Sequence, residues 1–128
     1  MKRSIFLLIT AIIATLFGGM MLFMPDKAAE GFGMTSTLET ALLFRSLGGL
    51  ILCSGVLNFL VRNEGDSKVL KAIFIFNIAF HAISMTNDFI GVSQDILTFE
   101  KVIPGQVAHL FIGVGSILYL MKIKTSSN

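Results

Sequence analysis

The chain has 128 residues and a net charge of +2, with 54% hydrophobic and 14% charged residues. Soluble domains are about 45–50% apolar and about 25% charged, so this chain has too little polar surface to cover a soluble globule and is expected in a lipid bilayer. Its basic residues are too scattered for nucleic-acid binding. Cys53 is the single cysteine, which excludes an intrachain disulfide, and the length predicts one domain over residues 1–128.

Four apolar runs dominate the chain, each near the roughly 20 residues that cross a hydrocarbon core. None of them alternates with a period of two, so each is predicted to be a helix. The predicted fold is all-α, a four-transmembrane-helix bundle in antiparallel, up-down order. Its helices are expected at residues 5–24, 41–61, 72–90 and 104–123, the last beginning at Pro104 because a first helical residue tolerates proline.

The first run follows a basic start, "MKRS", which is also typical of a signal peptide. Its apolar stretch is longer than the usual signal-peptide core, and no small-x-small cleavage site precedes Pro25. A retained membrane helix is therefore expected.

The basic residues predict the orientation of the bundle. Seven of them fall on the side of the N-terminus, namely Lys2, Arg3, Arg62, Lys68, Lys71, Lys122 and Lys124. The opposite side holds three, Lys27, Arg45 and Lys101. Because basic loops stay in the cytoplasm, both termini are predicted to be cytoplasmic and the opposite side is called the outer side here.

The outer connections are predicted to form short interfacial segments. "PDKAAEGFG" begins with proline and is expected to form a short helix, and residues 91–103 mix apolar and charged residues as an interfacial helix would. "STLE" at 36–39 has the spacing of a capping box, with Glu39 reaching back to Ser36.

The third predicted helix carries a polar stripe within an apolar segment. Its members are Asn77, His81, Ser84 and Asp88. Their spacings of four, three and four residues place them on one face, which lipid should force to turn towards protein. The second and fourth helices carry matching stripes of polar and small residues, namely Arg45, Gly48, Gly55 and Asn58, and Gln106, His109, Gly113 and Ser116.

Arg45 and Asp88 are predicted to form an ion pair, because each charge is costly in lipid without a partner. At 1.5 Å per residue they lie about 6 Å and about 3 Å inside their helices, and His109 lies about 7 Å inside the fourth. The pair is either a structural clamp that fixes helix register or part of an outward-facing ligand site. The residues of that site are Arg45, Asn77, His81, Ser84, Asp88 and His109.

The two histidines raise the alternative of a haem protein, since they lie on consecutive helices. The predicted boundaries place His81 about 13 Å below the outer end of its helix, against about 7 Å for His109, so the two are not expected to reach one iron. The expectation is no cofactor, with haem, or a quinone or lipid tail between the phenylalanines, as alternatives. No residue spacing predicts a metal site or a catalytic residue.

The layout resembles that of DoxX-like small bacterial membrane proteins. The likeness is carried by a "P-x-x-A" segment after the first helix and by "FRSLGGLILCSGVLNFLVRN" at 44–63, with its arginine at the outer start of a helix, its glycines and its basic turn. The resemblance implies a leaning towards quinone-linked and redox complexes. It carries over no catalytic residue, and the chain lacks a cysteine pair for thiol redox chemistry.

These observations predict a non-enzymatic protein of the bacterial inner membrane. It is expected to bind a small amphipathic molecule or a membrane protein partner through a polar pocket in its outer half, and a homo-oligomer is a further possibility. The alternatives are a redox component that binds quinone or haem, and a small transporter or channel protomer that works as an oligomer.

Overall fold

The fold is a bundle of helices, four of which are long and apolar enough to cross a membrane. The computed structural model describes residues 1–124, and no strand occurs within that range. The helices are α1 (Arg3–Phe23), α2 (Pro25–Gly31), α3 (Leu38–Val61), α4 (Lys68–Ser93) and α5 (Phe99–Leu120). The predicted all-α, four-helix membrane bundle is therefore confirmed.

The bundle has two distinct ends. At one end Arg3 bonds to Asp66 in the α3–α4 turn (2.5 Å), and the Tyr119 hydroxyl donates to the carbonyl oxygen of Met1 (2.6 Å). We call this the terminal end. The opposite end carries α2 and the α4–α5 turn, residues 94–98, and is called the α2 end.

The bounds of α4 and α5 differ from the prediction: α4 is longer at both ends, and α5 begins at Phe99 instead of Pro104 and ends at Leu120 instead of Ile123. The Ser67 side chain caps the start of α4 by accepting from the Leu70 backbone N–H (3.1 Å). Pro104 lies inside α5 rather than at its start, a position that membrane helices tolerate. The interfacial helix predicted at 91–103 does not form, because its two ends extend α4 and α5; between them Asp95 takes a left-handed backbone conformation (φ 56°) that closes the turn.

The other outer connection contains the predicted short helix, α2. The capping box at the start of α3 lies one residue later than predicted, with Thr37 and Thr40 exchanging hydrogen bonds between side chain and backbone. Ser36 does not face Glu39. Its hydroxyl donates instead to the Asp26 carboxylate (2.5 Å) and so ties α2 to the start of α3.

Glycines bring α1 and α3 into backbone contact. A Cβ atom placed on Gly18 would lie 2.8 Å from the Gly48 carbonyl oxygen, and one placed on Gly48 would lie 2.6 Å from the Leu22 nitrogen. Small residues allow this approach in lipid, where association depends on close packing. The bundle is consequently built of two closely packed pairs, α1 with α3 and α4 with α5.

The two pairs are joined at the terminal end. A core cluster there draws on all four long helices, namely Phe6, Leu7, Val61, Leu70, Phe74 and Ile112. The Phe6 ring lies against Gly115 of α5, with its centroid 5.1 Å from that of Tyr119. The backbone N–H of Lys124 and the Arg3 guanidinium both bond to Asp66 and lower the pKa of its carboxyl group.

The buried apolar cluster at the α2 end does not include the α4–α5 pair. It comes from α1, α2 and α3, with Met21, Ala28, Ala29 and Phe44 as its buried members. The α4–α5 pair meets this end at the rim, where the Lys101 ammonium donates to the Glu30 carbonyl oxygen (3.1 Å). A space remains between the pairs in the half of the bundle next to α2.

Replacing Gly48 by alanine should destabilise the bundle by about 1–3 kcal/mol, because the new methyl group would meet the α1 backbone rather than a movable side chain. Gly49→Ala is the matched control, since a Cβ atom on Gly49 meets nothing within 4 Å. Unfolding in detergent, followed by helical circular dichroism, measures both. Equal stability of the two variants would contradict the close α1–α3 contact.

Candidate functional site

Two asparagines join the helix pairs deep inside the bundle. Asn77 Nδ2 of α4 donates to Asn58 Oδ1 of α3 (2.8 Å), and Asn58 Nδ2 donates in return to Asn77 Oδ1 (3.2 Å). Both residues are fully buried, and Asn58 Nδ2 also donates to the Ser54 carbonyl oxygen (2.9 Å). This reciprocal amide pair is a structural clamp between α3 and α4.

The clamp predicted between Arg45 and Asp88 does not form. Arg45 is exposed, whereas its neighbours Phe44 and Gly48 are the buried residues of that stretch of α3. Within residues 1–124 Arg3 forms a salt bridge with Asp66, and the side chain nearest to Asp88 of those that can carry a positive charge is His109, at 3.9 Å. The prediction was wrong because the face of α3 that meets its neighbours is set by the glycines packed on α1, which turn Arg45 outward.

The two histidines meet directly. His81 Nδ1 of α4 and His109 Nδ1 of α5 are 2.8 Å apart, and their ring centroids are 5.0 Å apart. The offset in depth predicted for them is wrong, because α4 continues to Ser93 and α5 begins at Phe99. Counted from those ends, His81 and His109 lie at similar depths of roughly 18 Å and 15 Å.

This contact does not suit a bis-histidine haem. Each bond from a metal to a ring nitrogen is about 2 Å long, so an iron between the rings would have to separate two nitrogens that are hydrogen-bonded at 2.8 Å. Within residues 1–124, no group of three His, Cys, Asp or Glu side chains could hold a metal ion.

Asp88 and Gln106 extend the histidine pair towards the α2 end. Gln106 Nε2 donates to Asp88 Oδ2 (2.6 Å), and His109 Nε2 lies 3.9 Å from the same oxygen. His81, His109, Asp88 and Gln106 therefore form a row of polar groups along the α4–α5 pair. We call it the polar row.

The polar row borders a cavity of about 270 Å³ between the two helix pairs. Most of the other lining is apolar. It comes from Ile13, Ala14, Phe17 and Met21 of α1, Phe44, Leu47 and Ile51 of α3, and Ile112 of α5. Phe32, Met34 and Leu97 line it from the connections at the α2 end. A cavity of about 150 Å³ holds one benzene molecule, so this one suits a ligand of about ten to twelve non-hydrogen atoms.

Four of the six predicted site residues line this cavity: His81, Ser84, Asp88 and His109. Asn77 is buried in the asparagine clamp and Arg45 lies on the exposed face of α3. The Ser84 hydroxyl donates to the Phe80 carbonyl oxygen (2.9 Å), so it is already hydrogen-bonded within its own helix.

The contributions of α1 and α3 to the cavity could not be predicted from the sequence. Thr10 and Ser54 both line it, but a single hydroxyl in an apolar run gives no signal of its own. Thr10 is 1% exposed, and its hydroxyl has no hydrogen-bond partner in the part of the chain that the structure describes.

No family model, curated protein or solved structure matches this chain. Its function is therefore argued from the geometry of the cavity and the polar row.

Breaking the asparagine clamp from one side should destabilise the protein. Asn77→Leu leaves the Asn58 amide buried without its partner, which should cost about 1–2 kcal/mol of unfolding free energy. The double variant Asn58→Leu/Asn77→Leu should recover part of that loss, because no orphaned amide remains at the clamp.

Thr10→Val is the matched control for a buried polar group that has no partner. Its unfolding free energy should be unchanged or higher, since valine keeps the shape of threonine and removes a hydroxyl that bonds to nothing described here. Thermal unfolding in detergent measures five proteins, namely the native protein, Asn58→Leu, Asn77→Leu, the double variant and Thr10→Val. A double variant no more stable than the sum of its single substitutions would show that the two amides do not interact.

Proposed function

We propose that this protein is a membrane-embedded binding protein that holds one small amphipathic molecule between its two helix pairs. The observation that carries the proposal is the 270 Å³ cavity with apolar walls and one polar side, where His81, Asp88 and His109 converge. Binding sites for small molecules commonly combine a mostly apolar cavity with a few convergent polar groups.

The division of the walls supports an amphipathic ligand. The walls from α1 and α3 are apolar and include Phe17, Phe44 and Ile51. An apolar ligand body would give these side chains van der Waals contacts that the protein does not supply. The polar row faces it from α4 and α5, where a polar head would find hydrogen-bonding partners. Ionisable residues inside a membrane are costly and are commonly functional.

The proposal places the protein in the bacterial inner membrane with its terminal end in the cytoplasm. The basic residues of the terminal end support this orientation. The cavity then lies in the outer half of the bilayer, and the ligand would enter from the outer leaflet or from the outer surface. Membership of the DoxX-like family stays a prediction, as does a role beside a partner protein.

Filling the cavity should abolish binding. Ala108 lines the cavity, so Ala108→Phe would occupy space that the ligand needs. Ala79→Phe is the matched control, because Ala79 is exposed on α4 and does not line the cavity. The probes are neutral single-ring amphiphiles of about ten to twelve non-hydrogen atoms.

Binding is read out as thermal stabilisation of the protein in nanodiscs. A ligand at 100 times its Kd should stabilise the native protein and the Ala79→Phe variant by about 2.7 kcal/mol, and the Ala108→Phe variant should gain nothing. A native protein that no probe stabilises, or an Ala108→Phe variant that is stabilised equally, would contradict the proposed function.

A further inference from the structure

The histidine pair has a direction. In a hydrogen bond between two imidazole nitrogens, one must carry the proton and the other must offer its lone pair. The contact between His81 Nδ1 and His109 Nδ1, at 2.8 Å, can in itself run either way. The groups at the outer nitrogens of the two rings decide which way it runs.

Asp88 sets the direction from the His109 side. Asp88 Oδ2 lies 3.9 Å from His109 Nε2 and accepts a hydrogen bond from Gln106 Nε2. A carboxylate oxygen attracts an N–H group and repels a lone pair, so the proton of a neutral His109 belongs on Nε2. In many sites a carboxylate fixes the tautomer of a histidine by accepting a hydrogen bond from it; here the oxygen lies at 3.9 Å and acts through its charge.

The direction is passed on to His81. With its proton on Nε2, His109 offers a lone pair at Nδ1, and His81 must therefore donate from its own Nδ1. A neutral imidazole has one N–H group, so His81 Nε2 carries a lone pair. The row then runs from a hydrogen-bond acceptor on His81 to the carboxylate of Asp88.

His81 Nε2 is the open end of this row. His81 lines the cavity and is 8% exposed, and Nε2 makes no hydrogen bond within residues 1–124. The atom is not sealed off by protein, in contrast to the Thr10 hydroxyl oxygen. An acceptor in an apolar space gains free energy when a donor reaches it.

We infer that the ligand presents a neutral hydrogen-bond donor, a hydroxyl or an amine on a small apolar body, to His81 Nε2. The inference rests on the proposed function and adds the polarity of the ligand head to it. A single-ring phenol with a short alkyl chain has the required size and the required O–H group. A head that only accepts, such as a quinone carbonyl or an ether, would leave His81 Nε2 without a partner.

The test compares two ligands that differ in this one group. The probes are 4-butylphenol and 1-butyl-4-fluorobenzene, which have similar shapes, but the fluorine cannot donate a hydrogen bond. Both are titrated into the full chain in nanodiscs, alongside the His81→Phe and Thr86→Ala variants. For each protein the affinity for the phenol is divided by the affinity for the fluorobenzene, and these ratios are compared. Because each compound partitions into lipid equally in all samples, the difference in partitioning cancels.

The native protein should prefer the phenol, relative to His81→Phe, by about fivefold to tenfold, the effect of one neutral hydrogen bond. Thr86→Ala should keep the native preference, because Thr86 is exposed and its hydroxyl bonds to the Ala82 carbonyl oxygen. Equal ratios in the native protein and His81→Phe, with both compounds bound, would overturn the inference and leave the proposed function intact. Binding of neither compound to the native protein would overturn both.

A second measurement does not depend on any ligand. Nitrogen-15 NMR of the histidine side chains should show His81 with its proton on Nδ1 and His109 with its proton on Nε2. In Asp88→Asn the carboxylate is gone, and this fixed assignment should give way to a mixture of tautomers. A His81 ring with its proton on Nε2 in the native protein would overturn the inference.

Discussion

The structure depends on the requirement that polar groups inside a bilayer find their partners within the protein. Asn77 and His81 of α4 would destabilise the helix if they faced acyl chains. They face inward instead, where Asn77 bonds to Asn58 and His81 bonds to His109. The first contact joins the two helix pairs, and the second lies within one pair. The asparagine contact is therefore a structural clamp between the pairs, whereas the histidine contact belongs to the candidate site on one pair.

The cavity follows from where the two helix pairs are joined. Backbone contact at Gly18 and Gly48 fixes α1 against α3, and the cluster around Phe6 together with the asparagine clamp fixes that unit to α4 and α5 at the terminal end. At the α2 end the connections make the contact, with Gly33 against Thr98 and Lys101 bonded to the Glu30 carbonyl oxygen, and the cavity lies between the helix pairs. The polar row borders that space, and His81 Nε2, which makes no hydrogen bond within residues 1–124, is the atom to which we infer that a ligand binds.

Much of the fold could be predicted from the sequence, because lipid imposes a simple rule on the length and composition of helices. The inward direction of the α4 stripe followed from the spacing of Asn77 and His81, whose burial confirms it. Which side chains pair with each other was harder to predict, because a small error in a helix boundary changes the partners of every residue in that helix. Beginning α5 at Pro104 rather than Phe99 separated two histidines that touch, and Arg45 was paired by charge although the packing of α3 on α1 turns it outward.

The direct bond between His81 and His109 is the contact on which the polar row and its direction depend. Scalar coupling across an N–H···N hydrogen bond can be measured by NMR on protein labelled with nitrogen-15 in its histidines. A coupling between the Nδ1 atoms of the two rings is the result that this account predicts. Two histidine rings with no coupling, each exchanging its proton independently with water, would contradict it.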